Sequence, residues 1–231
     1  MKALILAAGY GSRLQSVSEA LPKGLVRVGG RPLLDRQIDL LQARGVERIC
    51  IVTGYEHALI EQRYGQRVDY RYNPFFRDAN NMVSFLFARD WIDDDVIVLY
   101  ADLLYAPEIL DAACRSPARL GLLVDSSAIE PGHALVSIRD GLIRKIDRLL
   151  APGEADARFI GIAKLTRQGV ADLLPEIENA AKAGRIDQYY TVGMAQLMAR
   201  GYPVTPIDVT GRRWLEIDSP ADLIRARAEW A

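Results

Sequence analysis

Residues 2–8 form a nearly continuous apolar run that stops at Gly9. A run of this length bounded by glycine predicts a strand buried on both faces of a parallel sheet. Over residues 32–44 the spacing changes. Leu33, Leu34, Ile38, Leu40 and Leu41 recur at helical intervals, and Gly45 supplies a stop. Residues 48–53 read again as a buried strand, 56–64 as a helix and 68–72 as a strand. Residues 81–91 read as a helix, with Met82, Phe85, Leu86 and Trp91 on one side, and 96–100 as a strand ending at Ala101-Asp102. Strand and helix thus alternate through the first hundred residues, the signature of an α/β fold with a mostly parallel sheet. Ligands of such sheets bind outside the carboxyl ends of the strands. Two of those ends carry chemistry: residues 9–13, and Asp102.

The second half has a different rhythm. Residues 120–124 predict a strand, and 134–138 with 142–146 flank Asp140-Gly141, a strong hairpin signal. A strand over 159–164, helices over 166–183 and 187–200, and short strands over 204–209 and 214–217 follow. Ser219 as N-cap and Pro220 at the first helical position open a last helix. The expectation is an antiparallel hairpin addition and closing helices on the same core.

Composition narrows the class. Lys plus Arg is 29 and Asp plus Glu is 30, which argues against a nucleic-acid backbone as the main partner. Cys50 and Cys114 make no disulfide framework, and His57 and His133 are too few for a histidine-built zinc site. No apolar run approaches the roughly 20 residues of a membrane span. The 2–8 run is short for a secretory segment. A cytoplasmic protein is expected.

The chemistry gathers after the first strand, in Leu6-Ala7-Ala8-Gly9-Tyr10-Gly11-Ser12-Arg13-Leu14. Two glycines let the backbone turn tightly and present N–H groups to phosphate oxygens. Leu14 stands where a dinucleotide fingerprint needs its third glycine, and no Gly-Lys-Ser/Thr follows as in a Walker A loop. Arg13 supplies a planar cation suited to phosphates. Lys23, after Pro22, is a second candidate. Either element alone is also compatible with an ordinary turn.

Taken with residues 22–41, PKGLVRVGGRPLLDRQIDLL, this loop resembles the nucleotidyltransferases of the sugar-phosphate type. Tyr100-Ala101-Asp102, Phe159-Ile160-Gly161-Ile162 and the stretch Trp214 to Leu223 resemble that family's later motifs in the right order. The resemblance implies a single domain over 1–231, with a nucleotide-binding half over 1–115 and an acceptor-binding half with closing helices over 116–231. It leaves little room for an appended domain. The implied fold is a Rossmann-like, mostly parallel mixed sheet flanked by helices. The implied reaction joins a nucleoside monophosphate to a phosphorylated acceptor and releases pyrophosphate. Arg13 and Lys23 would be catalytic. Leu6, Ala7, Ala8, Gly9, Gly11 and Ser12 would cradle the nucleotide. Asp102 and Asp218, with Glu216 as a neighbour, would hold Mg²⁺.

The segment with Asn80, Asn81 and Ser84 resembles the cytidylyltransferase branch, which acts on phosphocholine, aminoalkylphosphonates and related small phosphates, and the run Tyr100 to Tyr105 resembles a branch that acts on phosphoglutamine-like compounds. Asn80, Asn81 and Ser84 are expected to meet the base or ribose, with a helix N-cap as the other reading. For the acceptor the candidates are His133, Asp187, Tyr189 and Tyr190, and either Lys145 or Arg148 for its phosphate. A choline cage needs aromatic walls, and His133 at the hairpin start points to a smaller or more polar acceptor. The expected partners are CTP and a small phosphate or phosphonate, with a homodimer left open and neither nucleic acid nor membrane. A sugar-1-phosphate transferase using UTP, GTP or dTTP, and a silent nucleotide-binding regulatory domain, are the rival readings.

Overall fold

Side chains of a strand point alternately to its two faces, and the first strand buries both. In the computed structural model, which describes residues 1–14 and 21–230 apart from the side chains of Ser12 and Pro152, β1 (Lys2–Leu6) lies mid-sheet. Ser12 was a nucleotide candidate; its side chain lies outside the described set. Ala3 and Ile5 face one core and Leu4 and Leu6 the other.

The chain order continues with β2 (Arg27–Val28), β3 (Arg31–Pro32), α1 (Leu33–Gln42), β4 (Ile49–Thr53), α2 (His57–Tyr64), β5 (Asp69–Tyr72), α3 (Asn81–Phe87), β6 (Val96–Tyr100), β7 (Leu103–Tyr105) and α4 (Pro107–Arg115). Then come β8 (Leu120–Asp125), β9 (Leu135–Arg139), β10 (Leu142–Asp147), β11 (Ala157–Leu165), α5 (Arg167–Lys182), α6 (Thr191–Ala199), β12 (Thr205–Asp208), β13 (Trp214–Glu216) and α7 (Pro220–Glu229). The main sheet runs β10-β9-β11-β6-β1-β4-β5, with β8 also on β11 and β12 on β8. β6, β1, β4 and β5 are parallel; β11 is antiparallel to its neighbours. The hairpin of β9 and β10 extends this sheet. Helices α1, α2 and α4 cover one face and α3, α5 and α6 the other, giving three layers. No helix among the described residues is long and apolar enough to cross a membrane.

Several elements differ from the pattern reading, which predicts neither the short strands β2, β3 and β7 nor helix α4. Yet Pro107 opens α4, and Ile109, Leu110 and Ala113 are buried along it. Helix α3 stops at Phe87, four residues early. The acidic run that follows opposes the negative end of the helix dipole, and the Trp91 indole N–H is drawn to Asp69 at 2.7 Å. Helix α6 starts at Thr191 because residues 186–190 are bound to the head of α3. Asn80 N donates to Ile186 O at 2.9 Å, and Tyr190 N donates to Asn81 Oδ1 at 2.9 Å.

A third, smaller core underlies the glycine loop. It joins Leu14, Val28 and Leu33 to Leu104 of β7, Leu215 and Ile217 of the β13 segment, and Leu223 of α7. The loop after β1 is also held from the side, where Tyr55 N donates to Ala8 O at 3.1 Å. Gly54 makes this approach feasible, since a Cβ there would stand 2.6 Å from Ala8 O and 2.7 Å from Phe76 Cβ. Backbone cannot yield as a side-chain tip can. Gly54→Ala should therefore cost about 1–3 kcal/mol of stability, read as a lower urea midpoint. An unchanged midpoint would mean that the loop moves at no cost.

Candidate active site

Asp102 occupies the turn between β6 and β7, and Asp218 follows β13. Their meeting is a matter of strand pairing. β13 runs antiparallel to β7 with Glu216 opposite Leu103, and Ile217 N donates to Asp102 O at 2.9 Å. Asp218 is steadied from the other side by the first turn of α7. Asp222 accepts from Ser219 N at 2.8 Å and from Asp218 N at 3.1 Å, while Ser219 caps the helix in return.

Lys23 comes to these carboxylates from the start of a short 3-10 turn after Pro22. Its ammonium donates to Asp102 Oδ2 at 2.9 Å and also to Asp218 Oδ1. Gly11 has φ +62° and passes close beside the lysine stem; a Cβ there would lie 2.9 Å from Lys23 Cγ. Arg13 Nη2 donates to the other oxygen of Asp218 at 2.9 Å, with its side chain 64% exposed and so able to reach a ligand. Carboxylate oxygens of Asp102, Glu216 and Asp218 lie within 4.8 Å of one another. Asp102 Oδ1 is buried and without a partner among the described residues. Three hard oxygen donors, one of them orphaned, suit a divalent cation such as Mg²⁺.

The sequence pattern missed Arg158. It opens β11, is 7% exposed and donates to Glu216 Oε2. Its guanidinium lies 4.8 Å over the Trp214 ring, whose N–H is held by Asp125 at 2.7 Å. The available signal was a cation near the head of a mostly apolar strand. Asn73 was also missed. It is 1% exposed and donates to Ser84 Oγ at 3.0 Å.

These groups line one cavity of about 540 Å³. Its lining includes Leu6, Ala7, Ala8, Gly9 and Gly11 beside Arg13 and Lys23, then Asn80, Asn81 and Ser84, and also His133, Arg148 and Tyr189. The three α3 side chains are partly committed to structure. Asn80 Oδ1 caps its own helix, Asn81 Oδ1 holds Tyr190 N and Ser84 accepts from Asn73.

Three acceptor candidates fall elsewhere. Tyr190 is fully buried and stacks on Phe85 at 5.3 Å, so its ring belongs to the core. Lys145 is exposed and outside the cavity lining, next to a register irregularity in β10, whereas Ile146, Asp147 and Arg148 after it line the cavity. Asp187 is likewise exposed and outside the lining, in the connection before α6.

Burial pushes the Asp102 carboxyl up from its ordinary value against the pull of Lys23, and Glu216 and Asp218 push the same way. Burial acts on Asp218 too, but Lys23 and then Arg13 outweigh it and hold that carboxyl below its ordinary value. Burial also disfavours the Lys23 ammonium, yet Asp102 and Asp218 keep it above its ordinary value. The two aspartates therefore affect stability with opposite signs. Asp218, lowered on folding, contributes stability above the unfolded value of about 3.9 and loses it as pH falls through the folded one. Asp102, raised on folding, costs stability once ionised, and the cost is relieved as pH falls through its folded value. At about pH 8, well above the unfolded carboxylate value, Asp102→Asn should melt higher than the parent and Asp218→Asn lower. Equal shifts of the same sign would contradict this division.

Residues 3–168 match the family of MobA-like NTP transferase domains. Over 96% of its length the chain is 28% identical to the CMP-5'-(3-aminopropyl)phosphonate synthase of Streptomyces rubellomurinus, and it spans 37% of that protein. It is 26% identical, again over 96% of its length, to the CTP:phosphoglutamine cytidylyltransferase of Campylobacter jejuni, of which it spans 98%. In fold it is similar to the CTP:phosphocholine cytidylyltransferase of Streptococcus pneumoniae. The TM-score is 0.79 at 22% identity, covering 98% of this chain and 97% of the other. The chain belongs to the family of MobA-like NTP transferase domains.

Proposed function

We propose that the protein transfers CMP from CTP to a small acceptor bearing a phosphate or phosphonate, releasing pyrophosphate. The observation that carries this reading is the Lys23 ammonium between Asp102 and Asp218 at the head of the glycine loop. An acceptor oxygen attacks the α-phosphorus, and the bond to the β-phosphate oxygen breaks with its electron pair leaving on pyrophosphate. The attacking group is already an anion near neutral pH, so no strong base is required, in keeping with two histidines in the whole chain. The difficulty is charge repulsion, which fixed cations relieve.

Lys23 and Arg13 neutralise the triphosphate, and backbone N–H groups at Gly9 and Gly11 bind its oxygens. Asp102, Glu216 and Asp218 would hold Mg²⁺, which when bound neutralises phosphate charge. Asn80 Oδ1 accepts from Asn81 N, which leaves its Nδ2 as a donor without a partner among the described residues, a donor that an acceptor atom of either pyrimidine could meet. Relatives named for CTP chemistry favour cytosine.

At the acceptor end Arg148 has no carboxylate partner among the described residues. It donates to Gly132 O at 2.8 Å and to the Tyr189 hydroxyl, which leaves its charge for an acceptor phosphate. Arg148 also covers Tyr189 at 5.4 Å, and Tyr190 lies in the core, so these two rings build no cage for a quaternary ammonium. A smaller or more polar acceptor than phosphocholine is favoured.

A pyrophosphate-release screen tests this with the four NTPs against phosphocholine, 2-aminoethylphosphonate, phosphoglutamine and hexose 1-phosphates. Turnover is expected with CTP and a small phosphate or phosphonate. Turnover with UTP or GTP and a hexose phosphate would sink the cytidylyl reading, and none with any pair would favour a silent binding domain. Lys23→Ala should lose about 100- to 1,000-fold in kcat or more with its circular dichroism unchanged. Arg148→Ala should raise the acceptor KM at least about tenfold, a loss of roughly 1.4 kcal/mol, while Lys145→Ala leaves it unchanged; the reverse order would reassign the acceptor cation.

A further inference from the structure

Gln37 lies on the buried side of α1, 1% exposed, between Leu34 and Leu41 of the same helix face. Its amide nitrogen donates to Tyr100 O at 3.0 Å and to Leu103 O at 2.9 Å. Those carbonyls stand on either side of Ala101-Asp102, the two residues that turn β6 into β7. Both amide hydrogens are thereby engaged. Its Oε1, in contrast, is buried without a partner among the described residues.

A buried acceptor with no donor is unfavourable, and leucine or methionine would fill this helix face without one. Packing alone thus does not account for glutamine at this position. The two carbonyls do account for it. They bracket the tight turn at the end of β6, and Gln37 donates to each of them. Gln37 provides both donors from one planar group, which ties the two strand ends to α1 at a fixed spacing.

We propose that Gln37 is a positioning residue for the divalent-ion site. It clamps the β6–β7 turn so that the Asp102 carboxylate stays with Glu216 and Asp218. This rests on reading those three carboxylates as the metal ligands. Groups one step removed from a metal commonly alter its affinity about 10- to 100-fold when replaced. Without the clamp, Asp102 samples other turn geometries, and each binding event must then reorder it.

Gln37→Leu and Gln37→Met, the second retaining length and flexibility, test the proposal against the parent and Asp102→Asn. Mn²⁺ is titrated into each protein and free ion is followed by its EPR signal, with urea midpoints measured in parallel. Both Gln37 variants are expected to bind Mn²⁺ about 10- to 100-fold more weakly. Amide exchange at Ala101 and Ile217 should quicken while exchange in β1 and β4 stays slow, a readout that holds even if a variant is less stable. Parent-like Mn²⁺ affinity with only a lower urea midpoint would make Gln37 a packing residue and overturn the proposal. A parent that binds Mn²⁺ no better than Asp102→Asn would remove the metal reading itself, and the proposal with it.

Discussion

An ammonium group bridges two carboxylates that come from opposite parts of the chain, and much of the architecture serves to keep that bridge in place. Asp102 and Asp218, with Glu216 beside them, place three acidic groups within 4.8 Å. Like charges so close disfavour one another's ionisation. Lys23, Arg13 and Arg158 answer them one for one, each through a direct contact. The near-zero net charge of the chain thus hides a locally balanced cluster of opposite charges.

The two aspartates of the cluster lean in opposite directions. Asp218 gains from its cations, whereas Asp102 is buried deeply enough that its charge is opposed despite Lys23. A fold selected only for stability would not bury a carboxylate with an orphaned oxygen. The arrangement survives because an apolar foundation of Leu33, Leu104, Leu215 and Ile217 fixes the strands on which the charges stand. The ladder between β7 and β13 then leaves little freedom for the carboxylates to part. The same burial that opposes the Asp102 charge also weakens solvent screening and so strengthens whatever the charges do to a ligand.

The cavity lining is of two kinds. Residues 6–9 and the head of α3 belong to or adjoin regular elements, and α3 is stitched at its head to residues 186–190. Arg148, just past the end of β10, ties separate connections together by donating to Gly132 O and to the Tyr189 hydroxyl. In the proposed reaction the first kind would receive the triphosphate, and the second, made from loop ends, the more variable acceptor.

Much was legible in the linear pattern. Strand β1, the alternation of strands and helices, the hairpin at Asp140-Gly141 and the cap at Ser219 all follow from local rules of periodicity, turn chemistry and capping. Lys23 and Arg13 were recognisable because glycine, proline and cation spacing is itself local. The pattern did not reveal α4 or the strand β7 before it, whose three residues are too few to show an alternation. It ran α3 too far because the Trp91 indole is held by Asp69, from another strand. It offered Tyr190 as a cavity wall, although an aromatic beside a helix start looks the same whether it faces the core or a ligand.

What the sequence by itself determined is the kind of sheet, the place of the glycine loop and the types of charged group available. Only the tertiary structure decided which of them meet. The pairing of β13 with β7 sets Asp218 against Asp102, the head of β11 brings Arg158 to Glu216, and α1 places Gln37 behind the turn. The physical reason is that propensity and periodicity act over a few residues, whereas these contacts are selected by how distant segments pack around a shared core. A polar residue on a buried helix face carries no local mark of the carbonyls it will hold.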